Sequence, residues 1–408
     1  MSNRIILHSD LNNFFASVET LINPDLQGKY VAVCGDPTLR HGIVLAKNEL
    51  AKKMGVKTGL TIREAMQRCP QLVVTIPHPE EYRKIAAKVR RIYADYTDQV
   101  EPFGIDEAWL DVTHSGVFGT GVQIADDLRR RIQKEIGITA SVGVSFNKVF
   151  AKIGSDYKKP DATTEISYQN FKKIIWPLSV SDLLFVGKNT ESRLRKLNIQ
   201  TIGDLARAEQ DFLVEKFGKA GEQLSRYARG EDDSPVAKIG EWSEIKSVGN
   251  STTLAHDIYS LEEARPTIFQ LSDSISRRVW NYVVGKATTV QLFVRNNRLE
   301  SFTRQCKIPP SELSTDYANA ALKLLQEHYD FSVPIRALGV SVKDFSLGEE
   351  QATLFGGNKI KQEKLQRTVY ELQQKFGKNA IGRAISTQNE ILSLDDEERD
   401  HIPPPNGR

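Results

Sequence analysis

Little cysteine, no long apolar run and almost no surplus charge mark this chain, and each shortage removes a class of function. Cys34, Cys69 and Cys306 are its only cysteines, scattered over 408 residues. They form neither a disulfide framework nor a ligand-spaced pair, so the chain reads as cytoplasmic and reducing. No apolar run approaches the ~20 residues that cross a bilayer, and Met1-Ser2-Asn3-Arg4 does not look like a signal peptide, so no membrane partner is expected. The net charge is only +3, so any surface for nucleic acid has to be local. What remains is ordinary globular material, 40% hydrophobic and 26% charged, in a chain too long for one core.

The most telling stretch is Phe103-Gly104-Ile105-Asp106-Glu107-Ala108-Trp109-Leu110-Asp111. Two adjacent carboxylates stand between apolar residues that alternate like strands, after a glycine that permits a tight turn. At a hairpin turn both can face one cleft, where they repel each other unless a cation sits between them. A Mg2+ site is the resulting hypothesis. A further acid, Asp10, ends the apolar strand Ile5-Ile6-Leu7 just before a helix through Phe14-Phe15-Ala16-Ser17-Val18-Glu19. Taken alone, Asp10 or Asn12 is better explained as a helix cap than as a catalytic group.

Strand and helix periods give β-α, an inserted subdomain punctuated by Gly55, Gly59 and Pro70, then α-β-β-α-β-α up to Lys158-Lys159-Pro160. That order fits a ferredoxin-like sheet with the three acids at neighbouring strand ends. Next comes a small helical unit whose Leu184-Phe185-Val186-Gly187-Lys188 turn has helix-hairpin-helix spacing, a form whose backbone N–H groups can meet a phosphate. Glu231-Asp232-Asp233-Ser234-Pro235 begins a linker. A second β-α-β-β-α-β unit follows, with Lys246, Arg295, Arg298 and Arg304 among the basic residues expected along one sheet edge for phosphate contacts. The tail has a helical stretch from Asn358 to Phe376 and is otherwise expected to be flexible. Before the helix, Gln351-Ala352-Thr353-Leu354-Phe355 is a short apolar anchor that suits a pocket on a partner.

Three of these stretches together resemble the Y-family DNA polymerases, the translesion enzymes, and within them the DNA polymerase IV (DinB-type) group. They are His8-Ser9-Asp10-Leu11-Asn12-Asn13-Phe14-Phe15-Ala16-Ser17-Val18-Glu19, Phe103 to Ala108, and Ser141 to Ile153 with Lys158-Lys159-Pro160. The resemblance implies an α+β multidomain fold: a ferredoxin-like palm over 1–16 and 75–177 with fingers over 17–74 inserted, a helix-hairpin-helix thumb over 178–230, a linker over 231–244, a βαββαβ little finger over 245–345 and a flexible tail over 346–408. It implies an error-prone, DNA-templated DNA polymerase without a proofreading exonuclease, adding dNTPs to a primer 3′ end with two Mg2+ ions. Asp10 and Asp106 would bridge both ions, Glu107 would complete the primer side and the Leu11 carbonyl the nucleotide side. Phe15 falls at the steric gate against ribonucleotides, Phe14 would pack on the nucleotide, and Lys52 and Lys159 would meet the triphosphate. Gly187 and Lys188 would hold DNA phosphate, and Gln351, Leu354 and Phe355 would dock on the sliding clamp. A monomer on primer-template DNA is expected.

The chain departs from the family pattern at several places. Asn12 stands where a second acid is common, and Gly104 where serine is usual. In the fingers Ala46 replaces a threonine, and Glu49 and Lys52 replace a tyrosine and an arginine. In the thumb Phe185 replaces a glycine. These departures motivate a second reading, a catalytically weak DNA- and clamp-binding accessory of the same fold. A third, a nucleotide cyclase sharing the palm, has no use for the thumb and the second basic domain.

Overall fold

The computed structural model describes residues 4–36, 42–241, 244–347, 357–377 and 380–384, which form two compact units that divide at residue 244. In the first unit, strand β1 (Ile6–Leu11) leads through Asn13, in left-handed conformation at φ 50, into helix α1 (Phe14–Ile22). The inserted subdomain follows: β2 (Val31–Cys34), β3 (Val44–Lys47), α2 (Glu49–Lys53), α3 (Ile62–Arg68) and β4 (Val73–Thr75). Its three strands lie in the order β3-β2-β4, and β4 runs parallel to β2. The three-residue β4 and the helix α3 were not separable in the sequence; α3 starts from a Thr61–Glu64 capping box.

The chain returns through α4 (Pro79–Ala94), β5 (Val100–Pro102), β6 (Glu107–Asp111), α5 (Gly121–Ile136), β7 (Ala140–Ser145), α6 (Lys148–Tyr157) and β8 (Thr163–Ile166). These strands form one sheet, β5-β6-β1-β7-β8. Central β1 is antiparallel to both neighbours, and its register sets Asp10 opposite Glu107 on one side and Ser141 on the other. The apolar faces of α4 (Tyr82, Ala86, Val89, Tyr93) and α5 (Ile124, Leu128, Ile132) cover one side of the sheet against Leu7, Leu11, Leu110 and Val142. Helix α6 lies close over β7. A Cβ on Gly143 would fall 1.9 Å from the Ala151 carbonyl oxygen, so glycine is required there by the approach of two backbones.

Helices α7 (Phe171–Ile175), α8 (Lys188–Lys196), α9 (Ile202–Arg207), α10 (Gln210–Phe217) and α11 (Lys219–Arg229) share a core with Phe146, Phe150 and Ile153 of the palm side. The stretch read as the start of a linker is attached to the first unit over its described length. Arg4 donates to the Ser234 carbonyl, Gln99 to that of Val236, and the Ala237 and Ile239 amides donate to Glu101 and the Asp98 carbonyl. The reason is Val236, an apolar residue in a polar run, buried with Ile6 and Trp109.

The second unit is β9 (Ser247–Ile258), α12 (Leu261–Tyr282), β10 (Lys286–Asn296), β11 (Ser301–Ser311), α13 (Ser314–His328) and β12 (Ile335–Ser346). Its four strands are antiparallel in the order β11-β10-β12-β9, with α12 and α13 over the face carrying Val290, Leu292 and Val294. Within the tail, α14 (Gly357–Phe376) is docked on this unit: Tyr370 is 4% exposed, its hydroxyl donates to the Asp273 carbonyl, and Gln366 bonds Ser314 and Ser276. Gln351, Leu354 and Phe355 lie outside the described residues.

Candidate active site

Asp10 and Asp106 open into one cavity of about 330 Å3, together with Phe15, Lys159 and the fingers residues Ala46, Lys47, Glu49 and Lys52. Strand β1 delivers Asp10. Asp106 comes from the turn before β6, which is fixed to β1 by the Leu11 amide donating to the Asp106 carbonyl at 3.0 Å. Gly104 leaves room beside this acid; a Cβ there would stand 3.3 Å from Asp106 Oδ1. Burial and the charge of Asp10 both raise the Asp106 pKa. Two carboxylates that disfavour each other's ionisation are what a cation relieves. Lys159 Nζ takes that place, 2.8 Å from Asp10 Oδ2 and 2.7 Å from Asp156.

Glu107 does not line the cavity. It is the first residue of β6, where strand alternation resumes, and Lys152 Nζ holds its Oε2 at 2.6 Å while His8 Nε2 lies 3.5 Å away. The Glu107 carboxylate nonetheless stays close to Asp106: a Cβ on Gly104 would lie 3.3 Å from Asp106 Oδ1 and 3.7 Å from Glu107 Oε1. Burial pushes the Glu107 carboxyl up to about 7; Lys152 opposes this, and Asp10 and Asp106 add to it. Among the described residues no three potential ligand side chains stand grouped as a ready metal site. The donor set at Asp10 and Asp106 is nonetheless all carboxylate oxygen, the chemistry that suits Mg2+ rather than a thiolate- or imidazole-binding metal.

Comparison with known proteins agrees with this layout. Residues 9–156 match the impB/mucB/samB family, residues 245–354 its C-terminal domain, and residues 181–232 the thumb domain of DNA polymerase-iota. The chain is 44% identical to DNA polymerase IV of Acetivibrio thermocellus over 397 residues, covering 96% of this chain and 99% of that one. It is 35% identical to DNA polymerase IV 1 of Bacillus subtilis over 95% of this chain and 94% of the other. Among solved structures, a Y-family DNA polymerase chimera of Dbh and Dpo4 superposes with a TM-score of 0.75 at 26% identity, covering 84% of this chain and all of that one. The chain belongs to the DNA polymerase IV group of Y-family translesion DNA polymerases. It is a DNA-directed DNA polymerase with palm, inserted fingers, thumb and little finger, and it binds template DNA.

In this polymerase Phe14 and Phe15 differ in burial. Phe14 borders the cavity but is 3% exposed, and its ring packs in the palm core. Phe15 is half-buried, and its ring stacks on Tyr82 with centroids 4.3 Å apart and planes at 11°. Tyr82 was missed in the sequence, although its spacing with Ala86, Val89 and Tyr93 marks the buried face of α4. Its hydroxyl donates to buried Glu19, which also holds His78 Nδ1 at 3.0 Å. Asn12 is occupied structurally: its amide donates to Ser141 and accepts from Thr139 and the Asp161 amide.

In the thumb, Gly187 is the N-cap of α8, and it and Lys188 are exposed. Phe185 has φ 69, which explains the glycine usual at this place; a residue with a Cβ pays about 1–2 kcal/mol there. In the little finger the basic residues divide. Arg295 lies on the sheet face away from α12 and α13, since Leu292 and Val294 point toward them. Arg304 shares the opposite face with Phe302 and Cys306, its guanidinium 5.4 Å from the Phe302 ring centre. Arg298 is exposed in the hairpin turn, and Lys246 is exposed just before β9. Strand alternation puts Arg295 and Arg304 on opposite faces, and Lys246 precedes β9 at the far edge from β11, so these residues do not share the single edge that was expected.

Proposed function

We propose that the cavity of Asp10, Asp106 and Phe15 is where a primer 3′ end meets an incoming dNTP, with two Mg2+ ions as the cofactor. The observation that carries this reading is the meeting of Asp10 and Asp106 with three lysines and one stacked aromatic ring in a single cavity. A Y-family polymerase depends on divalent metal. Bound at these carboxylates, Mg2+ would lower the pKa of the primer hydroxyl and neutralise the triphosphate. Asp10 and Asp106 supply its negative oxygen donors, with the Leu11 carbonyl on the nucleotide side. Glu107 serves the primer side from its place beside Lys152 and His8.

Lys159 contributes positive charge for the triphosphate. Burial lowers its pKa, but Asp10 and Asp156 more than offset that, so it stays protonated. Phe15 is a flat ring backed by Tyr82 and cannot recede from a 2′-hydroxyl. Exposed residues of the thumb (Gly187, Lys188) and little finger (Lys246, Arg295, Arg298, Arg304) hold DNA phosphates. The peptide with Gln351, Leu354 and Phe355 docks on the sliding clamp. The polymerase acts as a cytoplasmic monomer; no helix among the described residues is long and apolar enough to cross a membrane.

The test is primer extension by the full chain with Mg2+ and dNTPs. Asp106→Ala should abolish extension while leaving binding to primed DNA in place. Equal extension by the variant would end this assignment.

A further inference from the structure

The cavity's lysines are not equally available. Lys159 sits between Asp10 and Asp156. Lys52 Nζ is 3.3 Å from Glu49 Oε1. Lys47 Nζ donates to the Thr58 hydroxyl at 3.2 Å and has no carboxylate partner among the described residues. It stands at the end of β3, paired across the sheet with Ala32, so the strand fixes its stem. Burial lowers its pKa, and Lys52 and Lys159 add to that while Glu49 opposes it. A half-buried ammonium beside other cations, whose one hydrogen-bond partner among the described residues is a neutral hydroxyl, is relieved by an incoming anion.

Glu49 is the reverse case. It is a carboxylate on the wall of a cavity whose other charged fingers side chains are basic. Its Oε1 receives the Asn13 side-chain amide at 3.2 Å as well as Lys52. Asn13 reaches it from the left-handed residue that starts α1. Glu49 thus fills the donors of two residues from two elements, as a phosphate oxygen would. Lys52 is half-exposed, and an ion pair of that kind is weak enough to open when a stronger anion arrives.

We propose that Lys47 is the main cation of the fingers for the polyphosphate of the incoming deoxynucleoside triphosphate, and that Glu49 is an internal competitor that occupies Lys52 and Asn13 until that anion enters. The proposal rests on the polymerase reading of this cavity and assigns its fingers side, where the chain departs from the family pattern. It makes the affinity for nucleotide a balance between a triphosphate and a built-in carboxylate.

The experiment uses the full chain on a primed template. It measures kcat and KM for dNTP, and, separately, equilibrium dialysis of a non-hydrolysable dNTP analogue onto the protein–DNA complex. Lys47→Ala should raise KM and the analogue Kd by about tenfold or more with kcat within about threefold, and Lys47→Arg should restore most of the loss. Lys47→Met, which keeps the apolar stem, must match Lys47→Ala if charge is the cause. Lys52→Ala should raise Kd by less than Lys47→Ala does. Glu49→Gln should tighten analogue binding by about threefold, and that gain should disappear when Lys52 is already alanine. A larger effect at Lys52 than at Lys47 overturns the first half. A Glu49→Gln gain that persists without Lys52 overturns the second, because the carboxylate would then be repelling the nucleotide directly. A wild-type chain that extends no primer defeats the polymerase reading alone, since the analogue arm still reports on Lys47.

Discussion

Replacing Gly143 with alanine drives a methyl group into the backbone of α6. The new Cβ would lie 1.9 Å from the Ala151 carbonyl oxygen and 2.5 Å from the Ser155 amide nitrogen. Neither is the end of a side chain that could rotate aside. An ordinary carbon–oxygen approach is roughly 3.3 Å, so α6 must move outward by roughly 1.4 Å or β7 must buckle. The strand is held on both sides, by His8 of β1 and Thr164 of β8, so the helix is the part that yields. Overpacking of this sort is worth about 1–3 kcal/mol or more, which for a unit of this size lowers Tm by about 2–4 °C per kcal/mol. The displacement also has a functional consequence. Helix α6 carries Lys152, whose ammonium holds Glu107, and Ser155, whose hydroxyl meets His8 Nδ1 at 2.8 Å. Gly143→Ala should therefore lower both Tm and primer extension, the second at temperatures where the protein is still folded. Thermal melting by circular dichroism and extension at 25 °C would be compared. A variant with unchanged Tm and unchanged extension refutes the close approach of β7 and α6, and with it the placement of Lys152.

Three further outcomes are expected. Phe15→Ala should raise ribonucleotide incorporation by about tenfold or more relative to dNTP, because the ring on Tyr82 can no longer meet the 2′-hydroxyl; an unchanged sugar preference moves the gate elsewhere. Glu107→Gln should stabilise the metal-free protein at alkaline pH. The Glu107 pKa is raised in the fold, so its penalty is absent below the unfolded value of 4.5, grows with pH and is complete above about 7. In EDTA the variant should gain on the order of 3 kcal/mol over wild type between about pH 4 and pH 8, and a gain that shrinks as pH rises contradicts the burial of this acid. Leu354→Ala with Phe355→Ala should leave short-primer extension intact and remove stimulation by the clamp, read from processivity with and without it.

By itself the sequence picked out Asp10 and Asp106 as candidates and set the order in which the elements come. Asp10 stands at the end of an apolar strand and Asp106 at a glycine turn, and local patterning of that kind survives in any context. The long helices α4, α5, α12 and α13 were legible for the same reason, since their apolar faces repeat at helical spacing over several turns. The tertiary structure decided what depends on partners distant in sequence. Glu107 meets Lys152, 45 residues away, and His8, partners that no local pattern announces. Val236 and the hydrogen bonds around it fasten a polar stretch to the first unit, and Tyr370 and Gln366 dock the tail helix, through contacts that no local period announces. The exposed arginines of the little finger divide between two faces because register, not composition, sets where a strand residue points. The same holds for Lys47: its type was visible from the start, but only the folded cavity shows that Lys52 and Lys159 already have carboxylates and Lys47 has none among the described residues.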